Sequence, residues 1–355
     1  MKDIKILHIA PQNFAGIPLD FVKMHRKYGI ESRLITIYKN TLQFDEDITL
    51  DFTIPKGKLS RKWRDKKALS DTELKFKYIK PQNILENVYF KLRDFSHSKK
   101  IENAIIEHDL YNYDIYHFDG GMDFYRDCRF IKKLKKHGKK IVCCYFGSDL
   151  RTRGIFKKIE DLSDLNLTIE FDHLKLYKNL KYIYFPFEYT NTFLPKKIND
   201  KIKIIHSPTN RLFKGTYKIL KVIENLKKTV DFEFILAENM VRNELLKLKA
   251  QCDIAIDQVG GEFGGSGYGR NSLENLAIGL PTITEFNDEY HKFLGDNPFI
   301  NANINELYKI LLQLIKDKSI LKGYDMKGKK WLEKTHSYEA VNKSLMKIYS
   351  ENNII

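Results

Sequence analysis

Short apolar runs, each closed by a polar or glycine-bearing turn, alternate along this chain with stretches whose apolar residues recur at helical spacing. Residues 4–10 (IKILHIA) predict a buried strand. The loop PQNFAGIP follows, then a helix over about residues 19–28, then Gly29 and the strand RLITIY. This strand–loop–helix–strand opening predicts a parallel sheet. Two further strands end in polar turns, YDIYHFDGG at residues 117–121 and KKIVCCYFGSDLR at residues 147–149. Ligands gather at the carboxyl ends of strands in open α/β sheets, which makes both ends candidate site positions.

The second half repeats the alternation. Residues 202–205 predict a strand that runs into a turn holding Pro208, Arg211, Lys214 and Gly215. Thr216 is the expected N-cap of the helix TYKILKVIENLKK, whose Ile219, Leu220, Ile223 and Leu226 follow helical spacing. Residues 254–259 predict another strand, then a glycine-crowded loop, a helix opening near Asn271 and stopping at Gly279, and a strand from Pro281. A last helix covers about residues 337–350. At 355 residues the chain exceeds the usual single-core size, so two α/β domains with a site in the cleft between them are expected. The polar, proline-bearing stretch around residues 194–201 is the expected boundary.

Residues 253–284 (DIAIDQVGGEFGGSGYGRNSLENLAIGLPTIT) carry the strongest chemical signal. Glycines without Cβ atoms let backbone N–H groups approach an anion, and the helix N-terminus adds positive potential. Glu274 falls in the first turn, within reach of a sugar hydroxyl. Together these features point to a nucleotide-sugar site. Two other readings stay open. Asn271 and Glu274 have capping-box spacing, and Gly265, Gly267 and Gly269 form a G-x-G-x-G variant of a dinucleotide fingerprint. A P-loop is excluded, because G-x-x-x-x-G-K-[ST] does not occur. Arg211 and Lys214 stand just ahead of a helix N-terminus, which suits cations only if an anion sits between them and the helix, unless both are ordinary solvated side chains.

The order strand, S-P-x-N-R-x-x-K-G-T, helix, then D-I-x-I-D-Q, glycine loop, Y-G and L-E-N-L-A-I-G-L-P resembles the retaining GT-B-fold glycosyltransferases of family four. The resemblance implies two Rossmann-like parallel-sheet domains facing a cleft: 1–195 for the acceptor, 200–335 for the nucleotide sugar, and a helix over 336–355 returning to the first. It implies donor contacts from Asn210, Arg211, Lys214, Gly267, Tyr268, Gly269, Asn271, Ser272, Leu273 and Glu274. It implies acceptor contacts from Asn13, Gly16, Gly147, Ser148 and Asp149. Catalysis would rest on Arg211, Lys214 and Glu274, with His117 and Asp119 beside the reacting sugar. The chain departs from the family pattern at three points: Ser266 replaces the first glutamate of E-x7-E, and Asp119 and Phe146 replace histidines. The implied reaction needs no cofactor. A UDP- or GDP-sugar is the co-substrate, and the charge on the departing diphosphate is stabilised by Arg211, Lys214 and backbone N–H groups. No metal is expected, since no zinc-type cysteine spacing and no D-x-D at a strand end occurs.

Charge adds a partner. The formal net charge is +15, concentrated in KGKLSRKWRDKK (56–67) and KKLKKHGKK (132–140). Lys62, Trp63 and Arg64 combine cations with an interfacial aromatic, which suits an anionic membrane surface, although a solvated lysine-rich face reads the same way. Nucleic acid is not an expected partner, because no helix-turn-helix, zinc-finger or RNA-binding signature appears. No run of 18 apolar residues occurs, the N-terminus reads as a first strand rather than a signal peptide, and four cysteines read as reduced core residues. A cytoplasmic enzyme, peripheral on the inner face of the membrane, is expected to move a sugar to a glycan or lipid-linked acceptor. A non-catalytic nucleotide-sugar or glycan binder and a nucleotide-sugar epimerase remain the alternatives.

Overall fold

The computed structural model describes residues 4–40, 44–54, 76–79, 84–188, 198–261 and 267–355. Lys62, Trp63, Arg64 and Ser266 lie outside the described residues, as do residues 194–197 of the boundary stretch. The chain forms two compact units: Met1–Pro186 with Tyr338–Ile355, and Phe187–Ser337.

The first unit holds seven strands: β1 (Lys5–Ala10), β2 (Glu31–Tyr38), β3 (Ile48–Phe52), β4 (Ile115–Asp119), β5 (Lys140–Tyr145), β6 (Leu165–Thr168) and β7 (Lys181–Tyr182). All pair in parallel, in the order β3-β2-β1-β4-β5-β6-β7. β1 and β4 are almost wholly buried, as parallel strands covered on both faces must be. The chain leaves β1 toward β2 and β3 and returns on the other side at β4, so the switch point of this sheet lies between β1 and β4. The last helix, Tyr338–Glu351, packs here, burying Tyr338, Val341, Leu345 and Tyr349.

The second unit holds β8 (Lys203–His206), β9 (Glu233–Leu236), β10 (Ile254–Ile256), β11 (Thr282–Thr284) and β12 (Ile300–Asn301). These are also parallel, in the order β12-β11-β10-β8-β9, with the switch point between β8 and β10. Ile204, Ile254, Ile256 and Ile283 from the sheet pack with Ile219, Ile223 and Leu226 of the helix Thr216–Leu226 in one core.

Two expectations need local correction. Thr216 is the first helical residue rather than the cap. Gly215 occupies the cap position at φ 67°, and the Thr216 hydroxyl lies 2.9 Å from His206 Nε2 instead. The strand expected over 254–259 ends at Ile256. The basic run 132–140 begins inside the helix Arg129–Lys136, which turns Phe130, Ile131 and Leu134 inward and most of its lysines outward, and ends at the start of β5. The four cysteines are free and buried. Among the described residues no helix is long and apolar enough to cross a membrane.

Candidate functional site

The switch point of the second sheet gathers most of the expected donor residues. Beyond β8, Asn210 Oδ1 accepts the N–H groups of Leu212 and Phe213 at 3.0 and 3.2 Å and shapes the turn. A Cβ on Gly215 would stand 1.9 Å from the Val259 carbonyl oxygen, so this turn and the loop beyond β10 meet backbone to backbone. That contact aims Lys214 at Asp257, with Nζ 2.7 Å from Oδ1. Asp257 is fully buried and also accepts from Asn271 Nδ2 at 2.9 Å and from the Ser272 hydroxyl. Burial opposes its ionisation, but Lys214 and these hydrogen bonds outweigh burial and hold its carboxyl below the usual range.

Asn271 is therefore not a capping residue. The helix Arg270–Ile278 begins after Gly269 with no side-chain cap. Asn271 Oδ1 accepts from Ser207 Oγ at 3.0 Å and from Lys249 Nζ at 2.5 Å. Glu274 is likewise not a cap partner. Its carboxylate meets Arg242 Nε at 2.7 Å, and both Lys249 Nζ and Arg270 Nε at 3.5 Å. Lys249 is fully buried, and burial lowers its pKa. Arg211, 40% exposed, forks onto Glu238, with Nε 2.8 Å from Oε1. In these pairs five basic side chains (Arg211, Lys214, Arg242, Lys249, Arg270) meet three carboxylates (Glu238, Asp257, Glu274). The balance favours an anion at this edge.

The remaining donor candidates serve the frame. Gly267 sits at φ 134°, where a Cβ would lie 2.5 Å from the Tyr290 ring. Tyr268 stacks with Phe299 at 5.0 Å, and its hydroxyl lies 2.9 Å from His336 Nε2. Leu273 is core, which leaves only its backbone for a ligand. Sequence reading missed Asp257, Glu238, Arg242, Lys249 and Arg270. Asp257 stood inside the D-I-x-I-D-Q motif with no role of its own, whereas Lys249 looks like any other lysine of a lysine-rich helix.

In the first unit, His117 and Asp119 are 1% exposed and face the interior. His117 Nε2 bonds with the Tyr349 hydroxyl of the last helix, and Asp119 Oδ2 lies 2.9 Å from His8 Nδ1. The rings of His8 and His117 are 4.3 Å apart, those of His8 and His25 5.3 Å. The structure thus assigns both residues to a buried hydrogen-bonded cluster. Ligand-type atoms of His8, His117 and Asp119 do come within 4.8 Å of one another, but His8 Nδ1 is committed to Asp119 and His117 Nε2 to Tyr349.

This cluster makes acid sensitivity predictable. Burial pushes His8 down to about 3, and burial followed by neighbouring histidine charge pushes His25 and His117 well below the ordinary range. Asp119 is raised by burial and then by Asp149. Below about pH 6.5 the unfolded histidines take up protons that the folded ones refuse. Asp119 works oppositely, binding in the folded state a proton that the unfolded carboxyl gives up above about pH 3.9. Between these values three histidines outweigh one carboxyl, so stability falls as pH drops below 6.5. A histidine lowered to about 3 contributes about 2 kcal/mol to that loss at pH 5. In denaturant titrations, His8→Asn, which keeps a donor toward Asp119, should lose about 2 kcal/mol less than wild type between pH 7 and 5. Equal losses in the two proteins would remove His8 from the acid response.

A pocket of about 740 Å³ lies within the first unit at the carboxyl ends of β1, β4 and β5. Gly147, Ser148 and Asp149, named above as acceptor candidates, are among the residues that line it. The Asp149 carboxylate accepts the N–H groups of Phe146, Gly147 and Leu150 at 2.8–2.9 Å and so holds the loop in shape. Arg151 turns away to Asp172 and Glu170, at 2.5 and 2.6 Å. Asn13 is buried, donating to the Asp45 carbonyl at 2.7 Å and accepting the Leu19 N–H at 3.2 Å. Gly16, at φ 74°, flanks the start of the helix Ile17–Lys27. The structure places Asn13 and Gly16 in the loop's frame, while their neighbours Pro11, Gln12 and Phe14 reach the pocket. Arg93, Arg126 and Arg153, none of them singled out from the sequence as site residues, line it too.

No family profile and no curated protein sequence matches the chain. Its backbone is nonetheless similar to solved structures along nearly its whole length. HepE of Anabaena, in complex with UDP-glucose, aligns at TM-score 0.56 and 12% identity over 98% of this chain and 100% of its own. TarM of S. aureus, in complex with fondaparinux, α-GlcNAc-glycerol and UDP, aligns at 0.58 and 11% over 98% and 99%. A trehalose-6-phosphate synthase aligns at 0.56 and 10% over 99% of each chain. The chain has the α/β fold of GT-B glycosyltransferases, with two parallel-sheet units.

Proposed function

We propose that the protein is a retaining glycosyltransferase of the family-four type, moving a sugar from a nucleoside-diphosphate sugar to a glycan or lipid-linked acceptor. One observation carries the reading: five basic side chains and Glu274 converge at the switch point of the second sheet, in a fold shared with UDP-bound proteins. Arg211 and Lys214 bind the diphosphate, and Glu274 accepts from a ribose hydroxyl. In the reaction the bond from the anomeric carbon to the diphosphate oxygen breaks, a bond to the acceptor oxygen forms, and the acceptor proton passes to the departing diphosphate. Preorganised cations stabilise the charge that builds on that leaving group. UDP is the preferred donor nucleotide on the strength of the neighbours' ligands, with GDP as the alternative. The reading includes a cytoplasmic location, an association with anionic membrane surfaces through Lys62, Trp63 and Arg64, and chemistry that uses no metal.

Incubation of the purified chain with UDP- and GDP-sugars tests this, with and without a lipid-linked acceptor. Acceptor-dependent release of the nucleoside diphosphate, with the α-linkage of the donor kept, is the expected result. Epimerised donor without acceptor, or donor binding without turnover on any acceptor, would each displace the transfer reading.

A further inference from the structure

The pocket of the first unit carries more cationic and apolar surface than a sugar hydroxyl needs. Arg93, buried with 9% of its surface exposed, donates from Nη2 to the Phe124 carbonyl at 3.0 Å, and its Nη1 lies 3.5 Å from Asp94 Oδ1. Arg126 lies over the rings of Phe90 and Phe156, at 4.3 and 4.8 Å. Arg153 lies over the same Phe156 at 5.5 Å and donates to the Gly120 carbonyl. The Nε atoms of all three are sealed from bulk water and meet no acceptor. Burial, then the charges of Arg93 and Arg153, push Arg126 down to about 10. Nearby carboxylates are engaged: Asp94 also accepts the Arg126 N–H at 2.7 Å, and Asp149 holds three backbone N–H groups. Glu86, in the first helical turn beside Leu85, is the carboxylate that lines the pocket together with Asp149. Clustered guanidinium groups short of acceptors destabilise the empty site and suit a tetrahedral oxyanion that takes several donors at once.

The same pocket has an apolar path outward. Leu85 and Tyr89 line it from the helix Ile84–Glu107, yet they are 79% and 50% exposed. Ile84, Val88, Leu92 and Phe95 continue that exposed ridge along one side of the helix. An apolar stripe of this kind marks a lipid or partner contact rather than ordinary surface.

Resting on the sugar-transfer reading, we infer that the acceptor is an amphiphilic phosphate. Its phosphate seats against Arg93, Arg126 and Arg153, its hydrocarbon chain follows Leu85, Tyr89 and the ridge, and its reacting hydroxyl belongs to the same molecule. The chemistry fits a bilayer phospholipid or a monomeric phosphate carrier equally.

Calorimetric titration of the full chain with decyl phosphate below its micelle concentration, decanol, inorganic phosphate and UDP tests this. Wild type should bind decyl phosphate about tenfold or more tightly than decanol or inorganic phosphate. Arg126→Met, which keeps the packing on Phe90 and Phe156, should erase the preference over decanol. Leu85→Glu, at an exposed position that tolerates charge, should weaken decyl phosphate and leave inorganic phosphate unchanged. No binding of decyl phosphate, equal binding of decanol, or a preference that survives Arg126→Met or Leu85→Glu would overturn the inference. Flotation with vesicles of phosphatidylcholine and phosphatidylglycerol separates the sources. Recovery that Leu85→Glu abolishes assigns a bilayer lipid, and monomer binding without recovery assigns a carrier, both upholding the pocket. UDP reports the second unit alone. UDP bound without decyl phosphate overturns this inference and leaves sugar transfer standing. The reverse overturns sugar transfer and keeps the pocket as a lipid-phosphate site.

Discussion

Replacing Asp257 with alanine should destabilise the second unit by about 3–5 kcal/mol. The carboxylate is fully buried and gathers Lys214, Asn271 and Ser272 from two separate segments of the chain. Its removal strands the Lys214 ammonium, 17% exposed, beside an amide and a hydroxyl that lose their acceptor. A buried group left unpaired costs more than the pair itself contributes. Asp257→Ala combined with Lys214→Met removes both charges and should therefore recover part of the loss, a coupling that a double-mutant cycle reads directly. Because the chain has two units, a single unfolding midpoint blurs the effect. Amide exchange in β8 and β10 isolates it. A change below about 0.5 kcal/mol in Asp257→Ala, the range of ordinary surface substitutions, would show that Asp257 does not hold these segments together.

Much of the fold was legible because parallel strands buried on both faces leave unbroken apolar runs, as in IKILHIA and KKIVCCY, and helices leave spaced ones. The errors arose where tertiary partners outbid local rules. Thr216 has the chemistry of a cap, but Gly215 takes the left-handed conformation there and frees the hydroxyl for His206. The capping-box alternative for Asn271 and Glu274 falls for the same reason, because Asp257 and three basic side chains claim them first.

The site was legible where backbone geometry demanded it and opaque where burial decided. The glycines near Asp257 showed in the sequence because close backbone contact tolerates no Cβ. His117 stands at a strand end, where a ligand contact and a hydrogen-bonded core histidine read alike in the sequence, and its partner Tyr349 lies 232 residues further on. Asn13 is claimed by the Asp45 carbonyl, 32 residues away, in the same manner. The arginines of the first pocket come from three distant segments, so no local window holds Arg93, Arg126 and Arg153 together.

Arg211→Ala should lower the turnover of the nucleotide-sugar reaction by about 100- to 1,000-fold, the usual cost of one preorganised donor to a developing anion. This position offers the cleanest test of the donor site. Arg211 is 40% exposed and bonded to a single carboxylate, Glu238, which water can solvate once the guanidinium is gone. The thermal midpoint should hardly move, so lost activity would not be lost fold. Lys214 needs gentler treatment, since alanine there would strand buried Asp257. Lys214→Gln keeps a hydrogen-bond donor and removes the charge. The two substitutions act on one leaving group, so their combined effect should fall short of the product of the single effects. The stabilisation by UDP should shrink in each variant and vanish in the double one, since ligand stabilisation follows affinity. Unchanged turnover in Arg211→Ala would mean that the turn beyond β8 does not hold the diphosphate. The basic excess would then have to be explained by Arg242, Lys249 and Arg270 alone, which meet the Glu274 carboxylate.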